Sequence, residues 1–382
     1  MRDLHTHGFL SIELNDTLTN ICEVLPHARD IPRIGAEQLV QGEKWRFFDR
    51  SLSTDTTKHT LIGYHMGDLY REGTYGKIYK ASRMVVVKRP DDLFDVETAP
   101  HEVIVKMTYP SIGIYLQPAD ITSHTSEGLL HILSWRIMQE TATPWAIPRP
   151  YEIFGEQSPT RRGWRSMFLG MSYVRGRILQ TFFEKNWKES TPVENTHSFC
   201  EIIGQTAYIL YYLQTKMRLN HRDVKVNNLL VRPSKDLIVL ELNDSYMPVT
   251  MEVTLIDFGF ACVGCPPPKK PDTVLQAGSW FPFNDLCCKK GRDIAQLIYC
   301  IQCYFPLEKY LTPEFYKVVA AWMMIPWSGG VANALEGFSK AGIPNGGKAE
   351  YHTGIYEFLR RADVDPDTCE PAAIFAACCA HI

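Results

Sequence analysis

Hydrophobic and polar positions divide the chain into a strand-patterned first part and a helix-patterned second part. Residues 69–81 alternate on either side of Gly73 and Gly76, which predicts two strands joined by a tight turn. Two apolar runs follow, 84–88 and 102–106, and each closes on a lysine, Lys88 and Lys106. Within 125–140, Leu130, Leu133 and Ile137 recur at helical spacing, and Pro144 stands beyond the predicted end. A strand is expected around 151–154, then a polar insertion over 156–166, then an apolar strand from Met167 to Gly176. Residues 196–216 read as an amphipathic helix. Beyond it, 237–242 and 249–256 alternate around Asn243-Asp244-Ser245, the pattern of a hairpin. The Pro-rich run 265–271 excludes regular helix and central strand, and a helix opens at Arg292. The last part is helix-like but short, with Gly/Pro breaks at 328–331 and 343–347.

Residues 1–58 carry no readable motif; Pro26, Pro32 and the polar cluster 51–57 mark them as an extension of the main body. With 382 residues, 45% of them apolar, the chain can bury a large core, and two lobes of one enzyme are expected. The net charge of −3 and the lack of a basic run argue against nucleic acid or a membrane surface as partner. No apolar run reaches membrane-spanning length, and the first residues lack the apolar core of a signal peptide. A soluble, intracellular protein is therefore expected. Eleven cysteines include Cys262-x-x-Cys265 and Cys287-Cys288. Their spacing lacks the two-knuckle pattern of zinc ribbons, so free, buried thiols are expected rather than a zinc site.

The candidate chemistry is concentrated in 220–231. Asp223, Lys225 and Asn228 stand within six positions and run straight into an apolar strand. Burying acid, ammonium and amide together at a strand's start has no structural return. It suits phosphoryl transfer, where a carboxylate orients a hydroxyl, an ammonium meets phosphate charge and an amide oxygen holds a metal. Asp257-Phe258-Gly259 follows 34 positions after Asp223, at the end of an apolar strand. By itself such a tripeptide is a turn after a strand; after the first motif it becomes a second metal-binding candidate.

His-Arg-Asp-x-Lys-x-x-Asn followed by Asp-Phe-Gly resembles the catalytic motifs of eukaryotic-type protein kinases. The resemblance covers roughly residues 60–310. It implies an α+β, two-lobed protein-kinase-like fold, with a strand-rich N-lobe holding one regulatory helix and a mainly helical, reduced C-lobe. The implied division is an extension over 1–58, an N-lobe over 59–171, and hinge plus C-lobe over 172–382. By motif, Asp223 orients the substrate hydroxyl, Lys225 stabilises the migrating phosphoryl, and Asn228 and Asp257 hold Mg²⁺. Gly73, Gly76 and Ile78 match the glycine-rich loop over ATP, with Arg71 in place of the first glycine. Both Lys106 and Lys88 match the phosphate-anchoring lysine. Glu127, the implied ion-pair glutamate, lies 21 positions after Lys106 and 39 after Lys88, which favours Lys106. His131 stands where the family has an apolar residue, Met171 matches the gatekeeper, and Tyr173 falls in the adenine-facing hinge.

Gly278-Ser279 is similar to the Gly-Thr of the substrate-facing segment, and Asp293 to the buried acid behind the catalytic loop. The family's Ala-Pro-Glu is missing. Arg222 matches an arginine that meets a phosphate on that segment, for which Thr273 is the candidate. Lys225 is the cue for serine/threonine specificity, and the implied partners are ATP and protein substrates. The reduced C-terminal part resembles the divergent kinases of large DNA viruses, which implies a host cell or virion. A small-molecule phosphotransferase of the same fold is disfavoured by the combined Arg222 and Lys225. A pseudokinase scaffold is favoured by Arg71, the missing Ala-Pro-Glu and the two competing lysines, Lys106 and Lys88, and opposed by Asp223, Asn228 and Asp257.

Overall fold

The computed structural model describes 37–39, 45–49, 60–335 apart from short loops, and 367–382; the loops outside it include 74–75, 89–93, 158–163, 265–272 and 279–286. The first part is an eight-stranded antiparallel sheet. Its order is β1 (Glu37–Leu39), β2 (Trp45–Asp49), β3 (Thr60–Gly73), β4 (Gly76–Lys88), β6 (Val103–Thr108), β8 (Trp164–Ser172), β7 (Pro150–Gln157), with β5 (Phe94–Thr98) also on β4. The extension thus contributes β1 and β2 to one edge of this sheet.

Period-two alternation in β6 sets two environments. Val103 and Val105 are buried with Tyr64, Ala81 and Phe168, whereas the intervening Ile104 and Lys106 face the other way. On the second face, Ile153, Met167 and Leu169 pack with Ile121 and Ile132 of helix α1 (Pro118–Gln139). This helix starts seven residues before the predicted 125. Pro118 stands at its first turn, and a capping box between Gln117 and Asp120 sets its start, while the polar 122–126 hide the apolar period. Gly128 is therefore interior to the helix, where a side chain would overlap Ile153 of β7.

The second part is mainly helical. It comprises β9 (Arg177–Ile178), α2 (Leu179–Asn186), α3 (Pro192–Met217), β10 (Leu219–Asn220), and the hairpin β11 (Leu229–Leu242) and β12 (Ser245–Leu255). Next come β13 (Cys262–Gly264), β14 (Thr273–Gln276), α4 (Arg292–Tyr304), α5 (Leu307–Tyr310) and α6 (Pro313–Trp322), then β15 (Met324–Trp327), β16 (Gly330–Asn333) and α7 (Pro371–Cys379). Helix α3 is the axis. A Thr191–Glu194 capping box starts it, and its apolar face fills the largest core cluster. Its buried polar side chains serve β12: Glu201 accepts from Thr250 N at 2.5 Å and Met251 N at 2.6 Å, and Gln205 donates to Met251 O at 2.7 Å. Helix α7 closes over α3, with Tyr208 and Phe375 rings 5.7 Å apart.

The β11–β12 hairpin is longer than the alternation predicts, because an irregularity over 234–237 breaks the period and the ladder, and pairing resumes at Ile238 opposite Val249. Its turn residues Asn243 and Asp244 take φ of 50° and 61°, the left-handed pair that a tight hairpin needs. The break expected at 328–331 lies at the turn of a β15–β16 hairpin, not between helices. Among the described residues, no helix is long and apolar enough to cross a membrane.

The cysteines depart from expectation. Cys262 of β13 and Cys287, just before α4, form a disulfide with Cα atoms 6.2 Å apart. Asn220 of β10 pairs with Cys262 and its side-chain amide bonds both backbone groups of Lys289, which brings Cys287 beside β13, a juxtaposition that spacing alone does not encode. Cys200, Cys288, Cys300, Cys303, Cys369, Cys378 and Cys379 are not disulfide-bonded, and Cys22 and Cys265 lie outside the described residues. Among the described residues, no group of three or more metal-binding side chains is arranged for a metal. Replacing both Cys262 and Cys287 by serine opens a closed loop with a separation of 25 residues. Chain entropy alone then lowers stability by about 3.5 kcal/mol, to be read from urea unfolding of the double variant against the oxidised wild type. Superimposable curves would mean that the bridge adds no stability.

Candidate active site

Four separate stretches bring charged side chains to the cleft between sheet and helices. Lys106 reaches from β6 and is shared by two acids: Glu127 Oε1 of α1 lies 2.6 Å from its Nζ, and Asp257 Oδ1 lies 2.7 Å away. Asp257 follows β12 with a φ of 68°, a conformation that costs energy and turns its carboxylate into the cleft. The next two residues secure it. Gly259 N donates to Asp257 Oδ1 at 3.3 Å, and a side chain at Gly259 would crowd the same oxygen of Asp257. Phe258 is fully buried between the His131 ring at 5.2 Å and the His221 ring at 4.9 Å. His131 is satisfied at that position by a 2.8 Å contact from Nε2 to Pro148 O.

Beside this trio lies the loop between β10 and β11. Lys225 Nζ donates to Asp223 Oδ2 at 2.8 Å and Oδ1 at 3.0 Å. The Asn228 amide nitrogen donates to Asp223 Oδ2 at 2.8 Å and to its backbone oxygen at 2.9 Å. The Asn228 side-chain oxygen thus remains as an acceptor. The loop backbone is fixed from below by Asp293, at the start of α4 and wholly buried. Asp293 accepts from His221 N at 2.8 Å, Arg222 N at 2.9 Å and Asn220 Nδ2 at 3.2 Å. That anchoring offsets the left-handed φ of 63° at Arg222, which carries the chain into Asp223.

The charges are unequal. Burial works against the Lys106 ammonium, but Asp257 and Glu127 outweigh it and hold Lys106 above the usual lysine range. Burial also works against Asp257, yet Lys106 and then Lys225 hold its carboxyl well below the usual range. Glu127 moves the other way: burial raises it, Lys106 only partly compensates, and Asp257 raises it further. Two acids compete for one ammonium, and the one open to the cleft keeps its charge more easily. The Asp257 side chain is 42% exposed against 8% for Glu127. Asp223 is raised by burial, with Lys225 opposing and Asp257 reinforcing. Burial pushes His131 down to about 4 and His124 to about 3, so both are neutral at physiological pH.

The structure gives Glu127 to Lys106. Lys88 ends β4 opposite Phe94, ten residues from Ile78, the backbone partner of Lys106. At about 3.3 Å per residue that is on the order of 30 Å away; its side chain lies outside the described residues. Gly73 and Gly76 pair across the β3–β4 turn, where a side chain at Gly76 would overlap the Met107 carbonyl. Met171 pairs with Ile104, and Tyr173 N donates to Glu102 O at 3.1 Å. Ser279, Lys269 and Lys270 lie outside the described residues, as does the Thr273 side chain.

Several neighbours of the site carry no sequence signal. His124 Nδ1 lies 2.5 Å from Thr108 Oγ1 and 4.0 Å from Glu127 Oε2. Lys80 lies over the Tyr173 ring at 4.9 Å and the Tyr70 ring at 5.5 Å, joining the β3–β4 hairpin to the hinge side. Ser123 and Gln276 hold the segment after Gly259, as described below. No protein-family model matches the chain, and no curated protein matches it.

The shifts fix how stability depends on pH. Asp257 ionises in the folded chain below its unfolded value of about 3.9, so it stabilises the fold above that pH and loses this as pH falls through the folded value. Lys106 stabilises below its unfolded value of about 10.4 and loses this as pH rises through its higher folded value. In metal-free protein, Lys106→Met moves the Asp257 carboxyl titration upward, whereas Lys88→Met leaves it in place, as read by carbon NMR of the carboxyl groups. An unmoved Asp257 in Lys106→Met would refute the shared ion pair.

Proposed function

We propose that this chain is an ATP-dependent serine/threonine protein kinase of protein-kinase-like fold, transferring the γ-phosphoryl group to hydroxyls of protein substrates. The observation that carries the reading is the single ammonium of Lys106 held 2.6 Å from Glu127 and 2.7 Å from Asp257, beside an Asp223–Lys225–Asn228 cluster. Three of these groups come from segments far apart in sequence. Structural economy does not call for three charged side chains around one cleft, whereas phosphoryl transfer needs charge neutralisation and positioning. The narrower kinship with viral kinases rests on the sequence resemblance, a reduced C-terminal part with irregular motifs upstream.

Each side chain has a distinct task in this reading. Asp223, buried and held by Lys225 and Asn228, orients the acceptor hydroxyl and takes up its proton. Lys225, about a fifth exposed, meets the phosphoryl group as it moves. Lys106 grips ATP phosphates while Glu127 keeps it in place. The Asp257 carboxylate and the Asn228 amide oxygen are hard oxygen donors, as Mg²⁺ prefers, and with ATP phosphates would hold it. Bound there, Mg²⁺ would supply positive charge against the phosphates. Gly73, Gly76 and Ile78 cover the nucleotide, and Met171 and Tyr173 line its base.

A non-catalytic, nucleotide-binding scaffold is the second reading. It is favoured by Arg71, which faces Ile78 across the β3–β4 ladder where an open glycine would be expected. Transfer of labelled phosphate from ATP and Mg²⁺ to a basic protein such as histone separates the two. The expected result is transfer by wild type, lowered at least about a hundredfold in Asp223→Asn with ATP affinity nearly kept. Asp257→Asn should also weaken Mg²⁺-dependent nucleotide binding. Near-normal turnover by Asp223→Asn overturns the catalytic assignment, and ATP binding without transfer by wild type selects the scaffold.

A further inference from the structure

Arg222 is a buried cation directly before Asp223, only 1% exposed. Its Nη1 donates to Gln276 Oε1, at the end of β14, at 3.1 Å. The other end of the same amide is also used: Gln276 Nε2 donates to Gly278 O at 3.3 Å. A nitrogen facing a carbonyl obliges the amide oxygen to face the guanidinium, so the two bonds fix one orientation. The strand carrying Gln276 is held on both sides. Gln276 pairs with Cys262 of β13, Ala277 N donates to Ala261 O at 2.9 Å, and Gly278 N donates to Ser123 Oγ of α1 at 2.7 Å. Gly278 takes a φ of +79°, and a side chain there would press on Phe260 and the Gly259 carbonyl.

Resting on the kinase reading, we infer that Gln276 is a positioning residue that holds Arg222, and through it Asp223, in place of a phosphate on the segment. The amide oxygen supplies from within the chain the acceptor that a phosphorylated side chain would supply. A phosphate that took the same Nη1 would have to displace Gln276. Residues 276–278 are therefore held by fixed hydrogen bonds to the catalytic loop and to α1, and transfer does not wait for modification of Thr273.

Variants of the full chain test this. Gln276→Ala lowers kcat by about tenfold to a hundredfold, as expected for a misplaced reacting group, while the KM for ATP changes little. Gln276→Glu restores kcat, because a carboxylate accepts from the same guanidinium. Thr273→Ala and phosphatase-treated wild type keep full activity. A readout independent of activity is nitrogen NMR of arginine side chains: slowed rotation of the Arg222 guanidinium is present in wild type and Gln276→Glu and lost in Gln276→Ala. Equal guanidinium rotation in all three proteins, unchanged kcat in Gln276→Ala, or Gln276→Glu as slow as Gln276→Ala would each overturn the role. Wild-type transfer no higher than that of Asp223→Asn defeats the kinase reading instead, and the NMR comparison still decides whether Gln276 holds Arg222.

Discussion

One ammonium shared by two carboxylates is the interaction on which the arrangement depends. Lys106 belongs to the sheet, Glu127 to the helix packed on it, and Asp257 to the turn that follows the β11–β12 hairpin. None of the three would tolerate burial alone, since an unpaired charge away from water costs several kcal/mol. Each is therefore tied to the presence of the others, and the pairing fixes how the strand-rich part meets the helical part. The unequal acidity of Glu127 and Asp257 follows from the same geometry, because only Asp257 keeps an open side.

A second set of buried polar groups keeps the loops in register. Asp293 gathers three donors from 220–222, and Glu201 and Gln205 take the backbone of β12. These acids and amides sit on α4 and α3, whose apolar residues fill the main core. These helices therefore present hydrogen-bonding groups inward to the loop at 220–222 and to the edge strand β12. Left-handed residues such as Arg222 and Asp257 persist because this network leaves them no cheaper alternative.

Much of this was legible in the residues, and the exceptions have physical causes. Period two exposed the β3–β4 and β11–β12 hairpins, and Asn243-Asp244 announced the turn, because those patterns are local. The convergence of Asp223, Asn228, Asp257, Lys106 and Glu127 was legible only through motif order, since spacing alone does not say which strands are neighbours. Lys88 and Lys106 end runs of the same character; spacing to Glu127 only favoured Lys106, and the ladder that sets it beside Leu169 and Ile78 puts it within reach of that glutamate. The start of α1 was hidden because Gln117 is an unusual cap and Thr122, Ser123 and His124 are not apolar. Gln276 and the Cys262–Cys287 bridge are tertiary facts that no periodicity carries.

That bridge also changes what kind of curve the backbone is. With Cys262 joined to Cys287, the stretch between them becomes a covalent ring set into an otherwise linear polymer. One cut anywhere inside the ring leaves the strand-rich part and the terminal helices as a single molecule. The two halves separate only when the sulfur bond is also reduced. Integrity of the primary chain and integrity of the connected body are therefore different properties here.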